Sequence, residues 1–496
     1  VEVLSSNALL QSAKCPSLFA PSIAQDGLLY RLRIPGGLLN VAQCEAIADL
    51  ADQAGCGAVE VTNRANVQIR GLQTSMATDV LERLQELGLA SPIAGVDALR
   101  NIMASPTAGI DRQQFIDTRP LVAAWNHYLT TRPDFAVLSP KFSVCFDGSE
   151  AVSVRDRPND ISLVAEAIAD AIYFRVHLSL GDRGASPCDV GVLIRPAESL
   201  PLLIAMTEVY GDYTRQKPGN DDQRKPRLRD LLQDWNLERY LKTVADRLPV
   251  SLTRTASIDH HSGSGFYNHL GIHAQRQNGL SYLGCTLSLG RLETKQLRGL
   301  ARLALQFGSG TLRLTPWQTV LVPDVPTTKI DAIEHEIEQL GLSVSATHPH
   351  SAIVACSGTT GCKSSATNTQ ADALALANYL AEHITLDRPI NIHFTGCEKS
   401  CAQHHASDIA LLGATKDGEE IYHIHVGDNG SKFGRVFKKN CALSHVPVLV
   451  EQLIQLYQRH RSHSQETFQA FVNRHTIAEL KQLLDSSSNR SLLGVG

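Results

Sequence analysis

The sequence has no run of about 18 apolar residues, so no segment of it is expected to cross a bilayer as a helix. It has no excess of either charge: 46 basic residues stand against 50 acidic ones, which gives no global field for nucleic acid or an anionic membrane. Any anion binding must therefore be local. The first residues, Val1-Glu-Val-Leu-Ser-Ser-Asn-Ala-Leu-Leu, lack the basic stretch and long apolar core of a secretory signal, and a cytoplasmic location is the expectation. No phosphate-binding glycine motif opens a βαβ unit, so nothing points to a bound dinucleotide. A disulfide framework is not expected, because the eleven cysteines are odd in number and the expected compartment is reducing. What is present is 496 residues, 43% hydrophobic and 19% charged, as in a soluble enzyme. That length exceeds one ordinary core and suits three or four domains, or two large composite ones.

An internal repeat organises the chain. Gly36 to Leu72 and Leu289 to Val325 align without a gap at an offset of 253, pairing Gly37 with Gly290, Gln43 with Gln296, Ala48 with Ala301, Gly57 with Gly310 and Thr62 with Thr315. In both copies apolar residues recur at helical spacing, Cys44, Ile47, Ala48 and Ala51 against Leu297, Leu300, Ala301 and Ala304. A strand follows in each, Val59 to Thr62 and Leu312 to Thr315. Asn40, with Gln43 three residues on, reads as the N-cap of the first helix. The correspondence continues at an offset of 252, where Ala104-Ser-Pro-Thr-Ala-Gly-Ile110 lies opposite Cys356-Ser-Gly-Thr-Thr-Gly-Cys362. Two copies of a pair of α/β modules imply a pseudo-twofold molecule with a cleft between halves. The sequence leaves the oligomeric state open; the duplication already supplies the twofold that a dimer would, which is compatible with a monomer. Between the copies, Tyr213 to Pro226 reads as a solvated connection feeding a helix near Leu228 to Leu241.

The two copies differ in chemistry. The first keeps cations in Asn63-Arg-Ala-Asn-Val-Gln-Ile-Arg-Gly71, where the second has Pro316-Trp-Gln-Thr-Val-Leu-Val-Pro-Asp324. The second has Cys356 and Cys362 where the first has Ala104 and Ile110, and it adds Cys397 and Cys401. Four thiolates suit a zinc ion or an iron–sulfur cluster. Zinc sites usually take two thiols from a tight turn, whereas a cubane accepts wider spacing, so the five-residue gap between Cys356 and Cys362 favours [4Fe-4S]. Gly358, Gly361 and Gly396 would let backbone amides approach sulfur. A helix starting near Cys397 would put Cys397 and Cys401 one turn apart and favour thiolate. The other cysteines, Cys15, Cys44, Cys56, Cys145, Cys188, Cys285 and Cys441, read as small buried hydrophobes.

Asn63-Arg64 with Gln68-Ile-Arg70-Gly71, Leu99-Arg100-Asn101, and Ser139-Pro-Lys141-Phe through Asp147-Gly148, together with the two cysteine pairs, resemble the siroheme nitrite and sulfite reductase superfamily. Within it the chain is most similar to the precorrin-3B synthase branch of cobalamin biosynthesis. That similarity includes Cys15-Pro-Ser-Leu-Phe-Ala-Pro, Asp26 to Gly37, Leu283 to Leu292, and Leu312-Arg-Leu-Thr-Pro-Trp317. The resemblance implies an α+β, internally duplicated nitrite/sulfite reductase-like fold, with two ferredoxin-like half-domains and two larger α/β domains around a central cleft. The half-domains would span 14–90 and 260–345, a tetrapyrrole-binding domain 91–250, and a cluster-binding domain 346–485. It implies that Cys356, Cys362, Cys397 and Cys401 hold a [4Fe-4S] cluster, the thiolate of Cys401 bridging to the tetrapyrrole iron in siroheme members. Arg64, Arg100 and Lys141 match cations that hold tetrapyrrole carboxylates or line the anion side, and Arg70 a further basic position; the first three would be the catalytic set and all four would bind the macrocycle. Arginine suits that work, since its planar fork pairs bidentately with carboxylates and stays charged under burial.

The synthase reading makes the macrocycle the substrate: precorrin-3A would be hydroxylated at C20 with γ-lactone formation, using dioxygen, the cluster and a mononuclear non-haem iron. Neutral imidazoles that could serve that iron are His260 and His261, His404 and His405, and His423 with His425, whose i, i+2 spacing on a strand shares a face. The alternative is a ferredoxin-dependent siroheme nitrite reductase, less so a sulfite reductase, with the tetrapyrrole as cofactor and a small anion as substrate. Either needs an electron donor, ferredoxin or a reduced nicotinamide or flavin partner. Ser143 stands where sulfite reductases carry a second lysine, which weakens the sulfite option. Ser400-Cys-Ala-Gln-His-His405 departs from the synthase ending Gly-Cys-Ala-His-Pro, and Gln403 follows the nitrite reductase pattern. A third reading is a cluster-bearing tetrapyrrole carrier or redox sensor without turnover; the cations kept beside the cysteines favour an enzyme.

Overall fold

The structure, a computed structural model, describes residues 15–181, 184–217, 224–249, 251–258 and 267–492. The chain forms two compact units. One takes most of the chain up to Leu342; the other takes Ala24–Asp26, Thr286–Arg291 and the chain from Ser343 onward.

Both copies of the sequence repeat lie in the first unit, apart from Leu289–Arg291 at the start of the second copy, and the backbone repeats with them. Six positions with positive φ recur at the offset of 253: Gly36 and Leu289 (66° and 54°), Gly37 and Gly290 (72° and 70°), Gly57 and Gly310 (56° and 71°), Ala65 and Gln318 (55° and 60°), Gly71 and Asp324 (80° and 63°), and Gly88 and Gly341 (70° and 72°). Leu289 holds a left-handed turn that costs a side-chain-bearing residue about 1 kcal/mol, so the turn has outlasted the glycine of the other copy. The repeat extends beyond the aligned sequence, to Gly88 and Gly341.

Each copy opens its helix with a reciprocal cap. Asn40 accepts from the Gln43 amide at 2.9 Å while Gln43 accepts from the Asn40 amide at 2.9 Å, as its spacing predicts. Glu293 and Gln296 do the same for the helix Thr294–Phe307. Gln43 then donates to the Leu87 carbonyl and Gln296 to the Leu340 carbonyl, at 2.9 and 3.0 Å. The halves exchange strands: Leu38–Asn40 pairs antiparallel with Thr311–Leu314 of the second copy, and Arg291–Glu293 adds to the edge of the first copy's sheet beside Ala58–Val61. Exchange in both directions covers Ala58–Val61 and Thr311–Leu314 with three-residue edge strands, and edges that short are poor templates for further pairing. The helices Val41–Gln53 and Thr294–Phe307 pack together, and Arg298 reaches Glu45, Asp49 and Asp52 at 3.1, 2.6 and 2.6 Å.

The larger modules repeat as well. In the first unit Ile102–Ala104, Val144–Asp147 and Ile161–Ile168 run parallel, then Ala171–Leu178 and Cys188–Ile194 return antiparallel. In the second, Ile353–Ala355, Ile392–Thr395 and Ile409–Lys416 run parallel, followed by Glu419–Val426 and Arg435–Ala442 antiparallel. Parallel strands need both faces covered, which explains runs such as Ile161-Ser-Leu-Val-Ala165, buried throughout.

Two local expectations change. The helix near Leu228 to Leu241 is two helices, Leu228–Trp235 and Leu237–Ala245, because Asn236 takes φ 61° and caps the second by accepting from the Arg239 amide at 3.0 Å. Of the seven cysteines read as buried hydrophobes, Cys44, Cys145, Cys285 and Cys441 are buried, Cys15 and Cys56 are half-buried, and Cys188 is exposed. Among the described residues no helix is long and apolar enough to cross a membrane.

Candidate functional site

The four cysteines lie in the second unit, in the loops that leave two neighbouring strands. The strand Ile353–Ala355 delivers Cys356, and Ile392–Thr395 beside it delivers Gly396 and Cys397. Because these strands are parallel neighbours, both loops leave the same edge of the sheet. Gly396 joins them. Its amide donates to Cys356 Sγ at 3.3 Å, and its carbonyl accepts from the Ala366 amide, just beyond Cys362, at 2.8 Å. The Cys356 carbonyl is held by Thr369 Oγ1 at 2.8 Å and Gln370 Nε2 at 2.9 Å, and Thr395 Oγ1 donates to the Cys397 carbonyl at 2.8 Å. A Cβ on Gly396 would sit 1.6 Å from Ser365 Oγ and 3.1 Å from its Cα, so the two loops touch through a backbone without a side chain.

No helix begins at Cys397. The Cys397–Cys401 segment is a turn with Ser400 at φ 54°, closed by Ser400 N–H donating to the Cys397 carbonyl at 3.3 Å. Beyond it the Gln403 and Asn391 amides pair reciprocally at 3.1 and 3.2 Å, fixing the chain as it leaves Cys401. Cys356, Cys362 and Cys397 are half-buried and Cys401 is exposed. Among the described residues no three His, Cys, Asp or Glu side chains gather about one ion-sized point. A zinc ion would need that arrangement, whereas ligands of a cubane stand around a larger body. An amide aimed at sulfur and a side-chain-free contact between the loops fit a cluster.

The first unit shows what stands in place of sulfur. Phe146-Asp-Gly-Ser-Glu150 follows its strand as Phe394-Thr-Gly-Cys-Glu398 follows the other, so Ser149 and Ser153 occupy the positions of Cys397 and Cys401. There Asp147 accepts from Ser153 Oγ, the Val154 amide and the Arg155 amide at 2.7, 2.7 and 3.1 Å. Asp111 accepts from Thr107 Oγ1 at 3.0 Å and the Ala151 amide at 3.1 Å, bridging the two loops. Carboxylates stitch this copy.

The expected cations lie in the first unit. Arg64, half-buried after a tight turn, donates to Asn159 Oδ1 at 3.0 Å and the Pro158 carbonyl at 2.6 Å. Burial pushes its guanidinium below the ordinary range, with Asp160 opposing and Arg227 and Arg31 adding to the fall. Arg70 is half-buried on the strand Val67–Leu72, and Lys141 is exposed. Arg100 differs: it is 2% exposed and donates to Asn126 Oδ1 (3.0 Å), the carbonyls of Leu89 (2.9 Å) and Gly88 (2.6 Å), and Asp97 (3.4 Å). Four protein acceptors take four of its five N–H groups.

Two further arginines complete the group. Arg31 and Arg33 alternate through Tyr30-Arg-Leu-Arg-Ile34, and period-two spacing puts both on one side of the chain. Arg31 donates to Gln68 Oε1 at 2.8 Å. Arg33 is 3% exposed and has no hydrogen bond or ion pair with any described residue. Burial first, then Arg31, push it down to about 9, still protonated at neutral pH. A buried cation without a paired anion is costly unless a ligand supplies one. Alternating arginines in an apolar strand were the signal for this pair.

For the mononuclear iron, His260 and His261 lie outside the described residues. His423 and His425 share a strand, but His423 Nδ1 accepts from the Asn440 amide and His425 Nδ1 lies 3.4 Å from the Gly434 carbonyl. His404 is half-buried and His405 exposed. His405 Nδ1 lies 3.1 Å from the Ala406 carbonyl.

Comparison with known proteins follows this geometry. The nitrite/sulfite reductase ferredoxin-like half domain matches residues 22–87 and 273–340, and the nitrite and sulphite reductase 4Fe-4S domain matches 95–252 and 348–492. A ferredoxin–nitrite reductase of Synechococcus elongatus is 30% identical over 458 residues, covering 88% of this chain and 87% of its own, and a chloroplastic ferredoxin–nitrite reductase of Zea mays is 29% identical over 452 residues, covering 86% and 78%. The solved structure of the Mycobacterium tuberculosis NirA protein shares the fold, with a TM-score of 0.75 at 24% identity over 91% of this chain and 84% of that one. The expectation of a synthase is not what these relatives support, since both curated ones are named nitrite reductases. A duplicated pair of ferredoxin-like half-domains, each followed by a 4Fe-4S-type module, makes the chain an iron–sulfur oxidoreductase of the nitrite/sulfite reductase family.

Proposed function

We propose that the protein is a ferredoxin-dependent nitrite reductase that holds a siroheme and a [4Fe-4S] cluster. The observation that carries the reading is the joined pair of cysteine loops, with the Gly396 amide on Cys356 Sγ, in a chain whose relatives are named for that activity. When bound, the cluster and siroheme would supply one-electron transfer and an iron centre for a small anion. Cys356, Cys362, Cys397 and Cys401 hold the cluster in this reading, and the amide hydrogen bond to Cys356 Sγ favours its more negative, reduced form. Arg31, Arg33 and Arg64 hold macrocycle carboxylates: a polycarboxylate gives the buried guanidiniums the anionic partners that they lack among the described residues. Arg70 and Lys141 add positive charge that draws both macrocycle and nitrite, and Ser143 beside Lys141 argues against sulfite. Arg100 holds the Gly88 turn and the Asp97 loop in place and has one N–H left for a ligand.

Anaerobic purification followed by an absorption spectrum and a nitrite-consumption assay with reduced ferredoxin tests the proposal. Siroheme bands with nitrite consumption, both lost in Cys397→Ser, are expected. A cluster without haem, together with oxygen-dependent conversion of precorrin-3A, would return the assignment to the synthase.

A further inference from the structure

Trp317 occupies in the second half-domain the position of Arg64 in the first, 253 residues on, next to Gln318, whose left-handed backbone matches that of Ala65. A cation has not left this position; it arrives from elsewhere. The Arg157 guanidinium lies 4.6 Å from the Trp317 ring centre, and the His269 ring stacks on the same indole at 4.7 Å and 23°. Trp317 is 5% exposed and His269 1% exposed.

Two buried ring nitrogens in this stack have no partner among the described residues. Trp317 Nε1, a donor only, has no acceptor. His269 Nδ1 has no partner, while its Nε2 lies 2.8 Å from Thr319 Oγ1, itself 2.6 Å from Thr315 Oγ1. Burial, followed by Arg157 and His273, pushes His269 down to about 3, so the ring is neutral at working pH; in the tautomer whose Nε2 accepts from Thr319, Nδ1 is the donor. The half-buried Arg157 guanidinium makes no hydrogen bond or ion pair with a described residue and keeps its charge at neutral pH, lowered to about 10 by burial. Buried donors are normally paired, and an orphan costs about 1–3 kcal/mol; two in one stack beside a cation call for an acceptor with negative charge. The adjoining chain is fixed independently, since Asn159 Nδ2 donates to the Arg157 carbonyl at 3.1 Å while Asn159 Oδ1 accepts from Arg64.

We propose that Arg157, Trp317 and His269 form a second anion-binding position, built for a planar oxyanion that accepts from the guanidinium, the indole N–H and the imidazole. Its ligand chemistry is that of a carboxylate or a nitrite-sized inorganic anion. Arg64 is not part of it, and the site does not depend on which reaction the cluster serves.

The test is the indole N–H spectrum of the full chain labelled with 15N-tryptophan, which has three resonances, from Trp125, Trp235 and Trp317, the last assigned by Trp317→Phe. Sodium nitrite and, separately, an octacarboxylate porphyrin are titrated in. Trp317 is expected to shift downfield and saturate while Trp125 stays put; saturation by nitrite alone identifies a free anion, and saturation by the porphyrin at lower concentration identifies a macrocycle carboxylate. Arg157→Ala should weaken the response at least tenfold and Arg157→Lys less, with unmoved Trp125 and Trp235 resonances showing that the fold is intact. No shift with either ligand at tens of millimolar nitrite, or the same shift in Arg157→Ala, overturns the proposal.

Discussion

Arg100→Ala separates a structural cation from a ligand-binding one. Removing the guanidinium strips donors from Asn126 and from the carbonyls of Leu89 and Gly88, and leaves Asp97, 0% exposed, with the Ser91 amide at 2.9 Å as its remaining donor. The other Asp97 oxygen already has no partner. Removing one member of a buried ion pair costs about 3–5 kcal/mol. At about 2.1 cal/mol/K per residue over a unit of roughly 330 residues, about 1.4 °C per kcal/mol, the melting temperature should fall by roughly 4–7 °C. Arg64→Ala removes two hydrogen bonds to neutral acceptors from a half-buried side chain and also relieves its desolvation, so a loss below about 2 kcal/mol is expected. Scanning calorimetry of both variants, paired with the amount of tetrapyrrole that each retains after gel filtration, gives opposite patterns: Arg100→Ala melts early and keeps the macrocycle, while Arg64→Ala melts near wild type and loses it. If Arg100→Ala melts within about 2 °C of wild type and sheds the macrocycle, the structural assignment of Arg100 is wrong.

Gly396→Ala should prevent cluster assembly, read as loss of the visible absorption and of bound iron; adding Ser365→Ala should not rescue it, because the new Cβ still meets Ser365 Cα at 3.1 Å and Cβ at 2.8 Å. Full iron content in the single variant would show that the loops have room. Hydrogen bonds from Thr294 and Arg298 hold the Asp52 carboxyl below the usual range, so its contribution to stability is present above the ordinary carboxylate pKa and is lost as pH falls through the lower folded value. In Arg298→Ala the melting temperature should lie below wild type at neutral pH, and the gap should narrow as pH falls below the ordinary carboxylate range; a gap that stays constant into acid would contradict the clamp.

The duplication was legible in the sequence because its determinants are local. A cap needs two residues three apart, a left-handed turn needs one, and both leave marks that an ungapped alignment detects. The cysteine loops were legible for the same reason. The break at Asn236 was missed because apolar periodicity continues across it, and only the cap reveals two helices. The turn at Cys397–Cys401 was missed because i, i+4 spacing fits a helix as well as a turn with one left-handed serine. Employment of side chains was least legible. Arg64 and Arg100 look alike as exposed-or-buried cations in a string, yet Arg100 faces four acceptors brought from residues 88, 89, 97 and 126, a convergence that only the fold supplies. Arg33 is the reverse case, a charge whose surroundings supply no partner.

The asymmetry of the two larger modules has a physical consequence. Where Cys397 and Cys401 stand in one copy, Ser149 and Ser153 stand in the other, and Asp147 gathers Ser153 Oγ with the Val154 and Arg155 amides through protein atoms alone. Asp111 then ties that loop to Thr107. The cysteine copy ties its turn differently, with Ser400 N–H and Thr395 Oγ1 on the Cys397 carbonyl at 3.3 and 2.8 Å and Ser400 Oγ on the Gln403 carbonyl at 2.6 Å. In the proposed reading, the serine copy is closed by protein atoms alone, whereas the cysteine copy adds thiolate bonds to a metal cluster to the ties within its chain.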